Sequence, residues 1–406
     1  MSVIPPSSPS PWQPRPPAPI PLPRLALVFL TLGATAFGGL AMAEPIRRRV
    51  VDREGWVSLR EFLDGLAFCQ LLPGAIMVSF VTYLGQRLRR TPGAVISAVC
   101  FILPAFLLML GLSYLYFRYR SLAFVQALSR GLGTLVLALL LQAAWHLGRR
   151  IGRHGLDVAL MGLAAAAFWA KLPFTLVFLA AGAARLGLAR WFPLPRTAEP
   201  ADAAAPPLSW RRLALQTALL ALGVTAALLA LSWQQPPLAR LAAICLKIGA
   251  LSFGGGLVMI PALQWEVVDH LGWLTLPQFL DGILLGFLTP GPIIILSTFV
   301  GFALQGPVGA LVATAAAFFP AIALVLLLSP FYHRLKQTPA VRPVIQGILA
   351  ALIAMLAVVL VQMGSSALHD WRDLVLFLAS AGALLGLRLN LLWVAPAVAA
   401  VSLWWF

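Results

Sequence analysis

The run SFGGGLVMIPALQWEVVDHLGW, residues 252–273, places three consecutive glycines, a proline and two acidic side chains inside an apolar stretch. In a plain lipid-facing helix each glycine costs about 1 kcal/mol relative to alanine, so the run asks for another use. A second run, AFGGLAMAEPIRRRVVDREGW at 36–56, repeats its order of Phe-Gly-Gly, Pro, Val-Val-Asp and Trp. The fold is therefore to be read as a duplication.

Working outward from the two runs, the correspondence covers nearly the whole chain. Phe37 pairs with Phe253 and Pro45 with Pro261 at a shift of 216. A one-residue slip then pairs Asp52 with Asp269, Trp56 with Trp273, Asp64 with Asp281, and Pro73-Gly74 with Pro290-Gly291. The first shift returns for Gly85 with Gly301, Pro104 with Pro320, Tyr116 with Tyr332 and Asp157 with Asp373.

The surroundings are those of a membrane protein. Of 406 residues 61% are hydrophobic and 10% charged, with a mean hydropathy of +0.91, and apolar runs recur almost without pause after residue 24. The formal charge of +16 sits in short Lys/Arg groups at the ends of these runs, as topology signals and lipid headgroups require, which excludes nucleic acid as the partner. Basic groups lining a route would also concentrate an anionic substrate. Cys69, Cys100 and Cys245 lie far apart inside apolar runs and have neither metal-ligand nor disulfide spacing. The sequence holds no HExxH, GxSxG or P-loop motif; no enzyme, metal site or cofactor is expected.

The expected fold class is an all-α polytopic membrane protein with two homologous halves of about six helical segments each. The expected domains are a disordered Pro-rich tail at 1–23, a first repeat at 24–190, a linker with a joining transmembrane helix at 191–239, and a second repeat at 240–406. With even crossings per half, the joining helix (about Leu213 to Trp233) would flip the second half, giving inverted repeats and about thirteen segments. Positive charge tests this with a mixed result. The basic loop 44–61 contrasts with its uncharged-by-Lys/Arg counterpart 263–278, yet strict alternation puts the basic groups at 87–90 and 149–153 opposite 44–61. Full but broken crossings at Pro73 and Pro290 are the expectation; re-entry there would reconcile the charges but make the parity odd and undo the inversion.

Both Phe-Gly-Gly runs admit two uses: close helix packing, or a helix break whose free N–H groups hold an anion. The candidate substrate-binding residues are Phe37, Gly38, Gly39, Pro73 and Gly74 in the first half, and Phe253, Gly254, Gly255, Gly256, Thr289, Pro290, Gly291 and Pro292 in the second. Pro removes a donor and Gly permits a turn, so each Pro-Gly is a kink or a discontinuous helix, and irregular backbone at membrane depth survives only against protein or a water-filled cavity. Lys247, inside CLKIGALSFGG, could snorkel or supply positive charge to an anion. Asp64 and Asp281, with Glu266 and Asp269, are the candidate coupling or gating carboxylates, against capping and solvated-loop alternatives.

The motifs SFGGGLVMIPALQWEVV, GWLTLPQFLDGILLGFLTPGPIIILSTFVGF and FFPAIALVLL, with FLDGLAFCQLLPG and YLGQRLRRTPGAVISAVCFILPAFLLMLGLSYLYFRY in the first half, resemble the chromate ion transporter family in its long-chain, duplicated form. The resemblance covers roughly 24–406. It implies an inner-membrane protein that exports chromate, a sulfate-like divalent oxyanion, with about thirteen spans and oppositely oriented halves, driven by protons or membrane potential. Sulfate or another anion is the alternative substrate, and a non-transporting membrane scaffold the alternative class. Expected partners are the oxyanion, protons and the lipid bilayer, with a homodimer left open as the assembly.

Overall fold

The computed structural model describes residues 20–36, 42–151, 155–189, 191, 215, 222–231, 233, 235–252, 256, 259–331, 338, 340–387, 389 and 391–406. Phe37, Gly38, Gly39, Phe253, Gly254 and Gly255 lie outside them, as do most of the Pro-rich tail and much of the linker with its joining helix. Every element among the described residues is helical. The first half has α1 (Leu22–Thr35), α2 (Ala43–Arg47, continued by a π-helical turn Arg48–Arg53), α3 (Leu59–Leu71), α4 (Ile76–Tyr119), α5 (Ala123–Ile151), α6 (Gly155–Trp169) and α7 (Phe174–Leu188). A short apolar helix, α8 (Leu222–Leu231), lies in the linker. The second half repeats the set as α9 (Pro236–Leu251), α10 (Met259–Gln264, continued by Trp265–His270), α11 (Leu276–Leu288), α12 (Leu296–Leu328, preceded by the 3-10 turn Ile293–Ile295), α13 (Val341–Ala367), α14 (Trp371–Ala381) and α15 (Leu391–Trp405).

Local chemistry explains where these helices start and bend. Ser58 and Glu61 form a capping box that opens α3, and Thr275 and Gln278 form the matching box that opens α11. The helix α4 bends at Arg89–Arg90 and α12 at Gln305–Gly306, ahead of Pro92 and Pro307 respectively. The backbone angles agree closely: Arg90 has φ 54 and ψ −146, Gly306 φ 57 and ψ −146.

Of the six apolar segments expected per half, the first two fold as hairpins. The chain leaves α1 and comes back through α2, since Arg24 near the start of α1 bonds Glu54 just beyond the π turn at 2.7 Å. It leaves α3 and comes back through the first part of α4: Arg87 bonds Glu61 at 3.1 Å, and the Phe62 and Phe80 rings pack edge to face at 4.8 Å. What reads in sequence as one broken segment over 60–82 is a helix, a turn and an antiparallel helix. Likewise 44–61 is largely helix and not a loop.

Among the described residues four helices are long and apolar enough to cross a membrane: Ile76–Tyr119, Phe124–Arg149, Ile293–Leu328 and Val341–Ser365. They form the centre, α4 against α12 and α5 against α13, with α1 laid along α4 and α9 along α12. The outer pairs are exchanged: α6 and α7 of the first half pack on α13 of the second, while α14 and α15 pack on α5 of the first. The core is correspondingly continuous across both halves, including Phe29, Phe101, Leu135, Phe279, Phe318 and Leu352.

Candidate functional site

Two Pro-Gly turns meet the other half's broken helix at the centre of this bundle. After α3 the chain turns through Pro73 and Gly74, whose φ is +116; after α11 it turns through Pro290 and Gly291, φ +109. Side chains rarely adopt this region, which is why glycine stands at both positions. The Gly74 N–H donates to the Ser252 carbonyl at 2.8 Å, and the Gly291 N–H to the Ala36 carbonyl at 2.9 Å. Ser252 and Ala36 are the residues at which α9 and α1 stop, so each turn is latched onto the other half's helix end. Space is equally matched: a Cβ on Gly74 would lie 2.9 Å from the Ala321 Cβ, and one on Gly291 2.8 Å from the Ala105 Cβ. Gly256 packs against Ile293 and Ile294, just past Pro292, which joins the glycine run of the second half to its own Pro-Gly turn.

Each latch takes up one backbone carbonyl at a helix end. A helix end leaves carbonyls bare and a helix start leaves N–H groups bare. The carbonyls of the cap residues Ala36 and Ser252 are taken by the two glycines, and the helices that leave the turns, from Ile76 and from Ile293, begin there with their N–H groups and positive dipole ends. In the first turn of α4 the Ser79 hydroxyl is buried and has no hydrogen-bond partner. Thr289 donates to the Leu285 carbonyl at 2.7 Å and lies 3.9 Å from the Met109 sulfur.

The charged candidates are distributed differently. Lys247 forms an ion pair with the buried Glu266, and its ammonium lies 5.0 Å from the centre of the Phe174 ring. An anion would have to compete with Glu266 for it. Asp269 is exposed, three residues further along the same turn, and His270 stacks on Trp265 at 5.1 Å. Asp281 is buried and accepts a hydrogen bond from Tyr116 at 2.7 Å, which ties the second half's α11 to the first half's α4. Its repeat counterpart Asp64 is only partly buried. The four carboxylates thus do not form one cluster.

Sequence reasoning noted Asp157, Asp373 and Tyr116 only as repeat partners. Asp157 is fully buried with Arg185 at 3.2 Å and Gln346 at 2.7 Å. Asp373 takes both nitrogens of the Arg130 fork at 3.0 Å. The Gln346–Asp157 and Arg130–Asp373 contacts cross between the halves, at positions the duplication already linked, while Arg185 reaches Asp157 from within the first half.

The comparisons with known proteins agree with this duplicated build. The family model described as Chromate transporter matches twice, over residues 23–187 and 239–404. A chromate transport protein of Cupriavidus metallidurans is 30% identical over 89% of this chain and 87% of its own length. One from Pseudomonas aeruginosa is 33% identical over 84% of this chain and 80% of its own, and an uncharacterized transporter of Methanocaldococcus jannaschii is 31% identical over 87% of each. No solved structure matches the chain significantly. With both halves matched by the same model, and relatives aligned over most of their length, the chain belongs to the chromate transporter family.

Proposed function

We propose that the protein is a secondary transporter of a divalent oxyanion, with chromate export as the activity it fits best, driven by a proton gradient or the membrane potential. The observation that carries the proposal is the pair of reciprocal latches, Gly74 to Ser252 and Gly291 to Ala36. They bring two discontinuous helices and two helix ends together in the middle of the bundle, the arrangement by which transporters hold ions at backbone termini. In this reading the helix starts at Ile76 and Ile293 offer the anion its backbone N–H groups, and Phe37, Gly38, Gly39, Phe253, Gly254 and Gly255 stand as candidate anion contacts on the sequence alone. Ser79 adds a hydroxyl, and Lys247 is released from Glu266 when the anion binds. Rocking of one half against the other, about latches that open one at a time, alternates access.

We also propose inverted repeats in the inner membrane, and the contacts support the inversion. Glu61, early in α3, meets Arg87 near the beginning of α4, whereas Leu276 and Asp281 of the equivalent α11 share a cavity with Tyr116 and Arg120 at its far end. Two re-entrant hairpins leave four crossings per half, an even number, and the joining helix flips the second half. Re-entry therefore preserves the inversion, because it occurs twice in each half. It also gathers Arg24, Arg47 to Arg49, Arg53, Arg60 and Arg87 to one face, which the positive-inside rule makes cytoplasmic.

Purified protein in liposomes tests the function, with chromate and sulfate flux followed while pH gradient and potential are imposed separately. Flux driven by one of them is expected. No flux of either anion under any gradient returns the scaffold alternative. Single cysteines at Arg53 and His270, in a chain lacking Cys69, Cys100 and Cys245, should be labelled from opposite sides; labelling from one side would end the inversion.

A further inference from the structure

A cavity of about 460 Å³ opens where the end of α4, the start of α5, the start of α11 and the end of α13 meet. That volume lies in the range of ligand pockets. Its wall carries two guanidinium groups, Arg120 and Arg130, with Ser129, Gln126, Gln278 and His369 as neutral or titratable donors. Asp281 faces it too, but its carboxylate is covered by the Tyr116 hydroxyl at 2.7 Å. Arg130 is shared with Asp373 at 3.0 Å and Asp370 at 4.0 Å, and its side chain remains 41% exposed. Arg120 is exposed, lies 5.8 Å from the centre of the Phe117 ring, and makes no ion pair with a carboxylate among the described residues.

The cavity also leads somewhere. Along α4, Arg120 and Tyr116 are followed one and more turns deeper by Met109 and Ala105, on one face of the helix. Tyr116 meets Asp281, Met109 meets Thr289, and Ala105 meets Gly291. The seam between α4 and α11 therefore runs from the cavity to the Pro-Gly turn of the second half, and the Tyr116–Asp281 bond closes it at the cavity floor.

We infer that this cavity is a separate docking vestibule for a divalent tetrahedral oxyanion, held by Arg120 and Arg130 before it passes the Tyr116–Asp281 closure. The inference rests on the oxyanion reading given above. An arginine at a helix end also has an ordinary explanation, complementing the negative end of the dipole. Arg118 shares that position and charge on α4 and does not line the cavity, so it is the matched control.

The test measures equilibrium binding of radiolabelled sulfate and of chromate to the purified full chain in lipid nanodiscs, for the wild type, Arg120→Gln, Arg130→Gln and Arg118→Gln. Saturable binding weakened about tenfold or more by Arg120→Gln, and left within about twofold by Arg118→Gln, is the expected result; tenfold corresponds to about 1.4 kcal/mol. Arg130→Gln should weaken binding as well, but it also strips Asp373 of its partner, so Arg120→Gln decides. Equal affinities in wild type and Arg120→Gln, equal losses in Arg120→Gln and Arg118→Gln, or no binding of either anion to the wild type would overturn the vestibule. Liposome flux measured in parallel separates the two proposals. Intact flux with binding indifferent to Arg120 removes the vestibule and keeps the transporter, while Arg120-dependent binding without flux does the reverse.

Discussion

Asp157 and Asp373 occupy equivalent places in the two repeats, and their surroundings have diverged. Asp157 is sealed: its side chain is 0% exposed, Arg185 beside it is 1% exposed, and that arginine comes from the same half. The other half contributes only the neutral Gln346, at the position equivalent to Arg130. At Asp373 the cation comes from the opposite half and stays 41% exposed beside the vestibule. One ion pair is thus internal and dry, and the other bridges the halves and is wet. Two copies of one scaffold have placed a fixed joint at one end and a solvent-accessible joint at the other.

The largest effect should come from breaking the dry joint. Asp157→Asn leaves Arg185 buried without its carboxylate and should cost about 3–5 kcal/mol, read as a large drop in the unfolding midpoint of the detergent-purified protein. A drop no larger than that of Asp373→Asn would erase the contrast between the two joints. Next come Gly74→Ala and Gly291→Ala, which meet a strained φ and a neighbouring alanine alike and should each cost about 1–3 kcal/mol with loss of flux. Because the two latches match in angle and distance, the two losses should be similar; a tolerated Gly74→Ala would show that only one latch matters. Asp373→Asn should cost about 1–2 kcal/mol, since water already screens Arg130 while two backbone N–H groups still cap the residue. Smallest is Arg90→Gly. Arg90 holds at φ 54 the bend that its counterpart Gly306 holds as glycine, so the change should raise stability by about 1 kcal/mol in a thermal scan. Unchanged or lowered stability would mean that the Arg90 side chain repays its backbone strain.

Much of this could be read from the residues. The duplication was visible because both copies still need glycine at the same turns and proline beside them, and helical class followed from apolar length. The returning helices were not visible. The segment 42–53 is short and carries Arg47, Arg48, Arg49 and Arg53, so by hydropathy it resembles a loop; only the Arg24–Glu54 contact shows that it folds back beside α1. Lys247 and Glu266 were singled out separately, one as an anion site and the other as a coupling group, because their pairing depends on that same fold-back in the second half. The Asp157 and Asp373 pairings were hidden for a related reason: Gln346 and Arg130 lie on helices of the other repeat, Arg185 lies on the next helix after Asp157, and no local pattern marks any of them.

The exchange of outer helices has a consequence for synthesis. As the chain leaves the ribosome, α5 is made long before α14 and α15, the two helices that cover it, and α6 and α7 are made long before α13, on which they settle. The first repeat cannot reach its final packing until residues 371–405 have been inserted. Until then its apolar flanks must be shielded by lipid or by an insertion partner, and a ribosome stalled between the halves would leave an unfinished repeat exposed to membrane proteases.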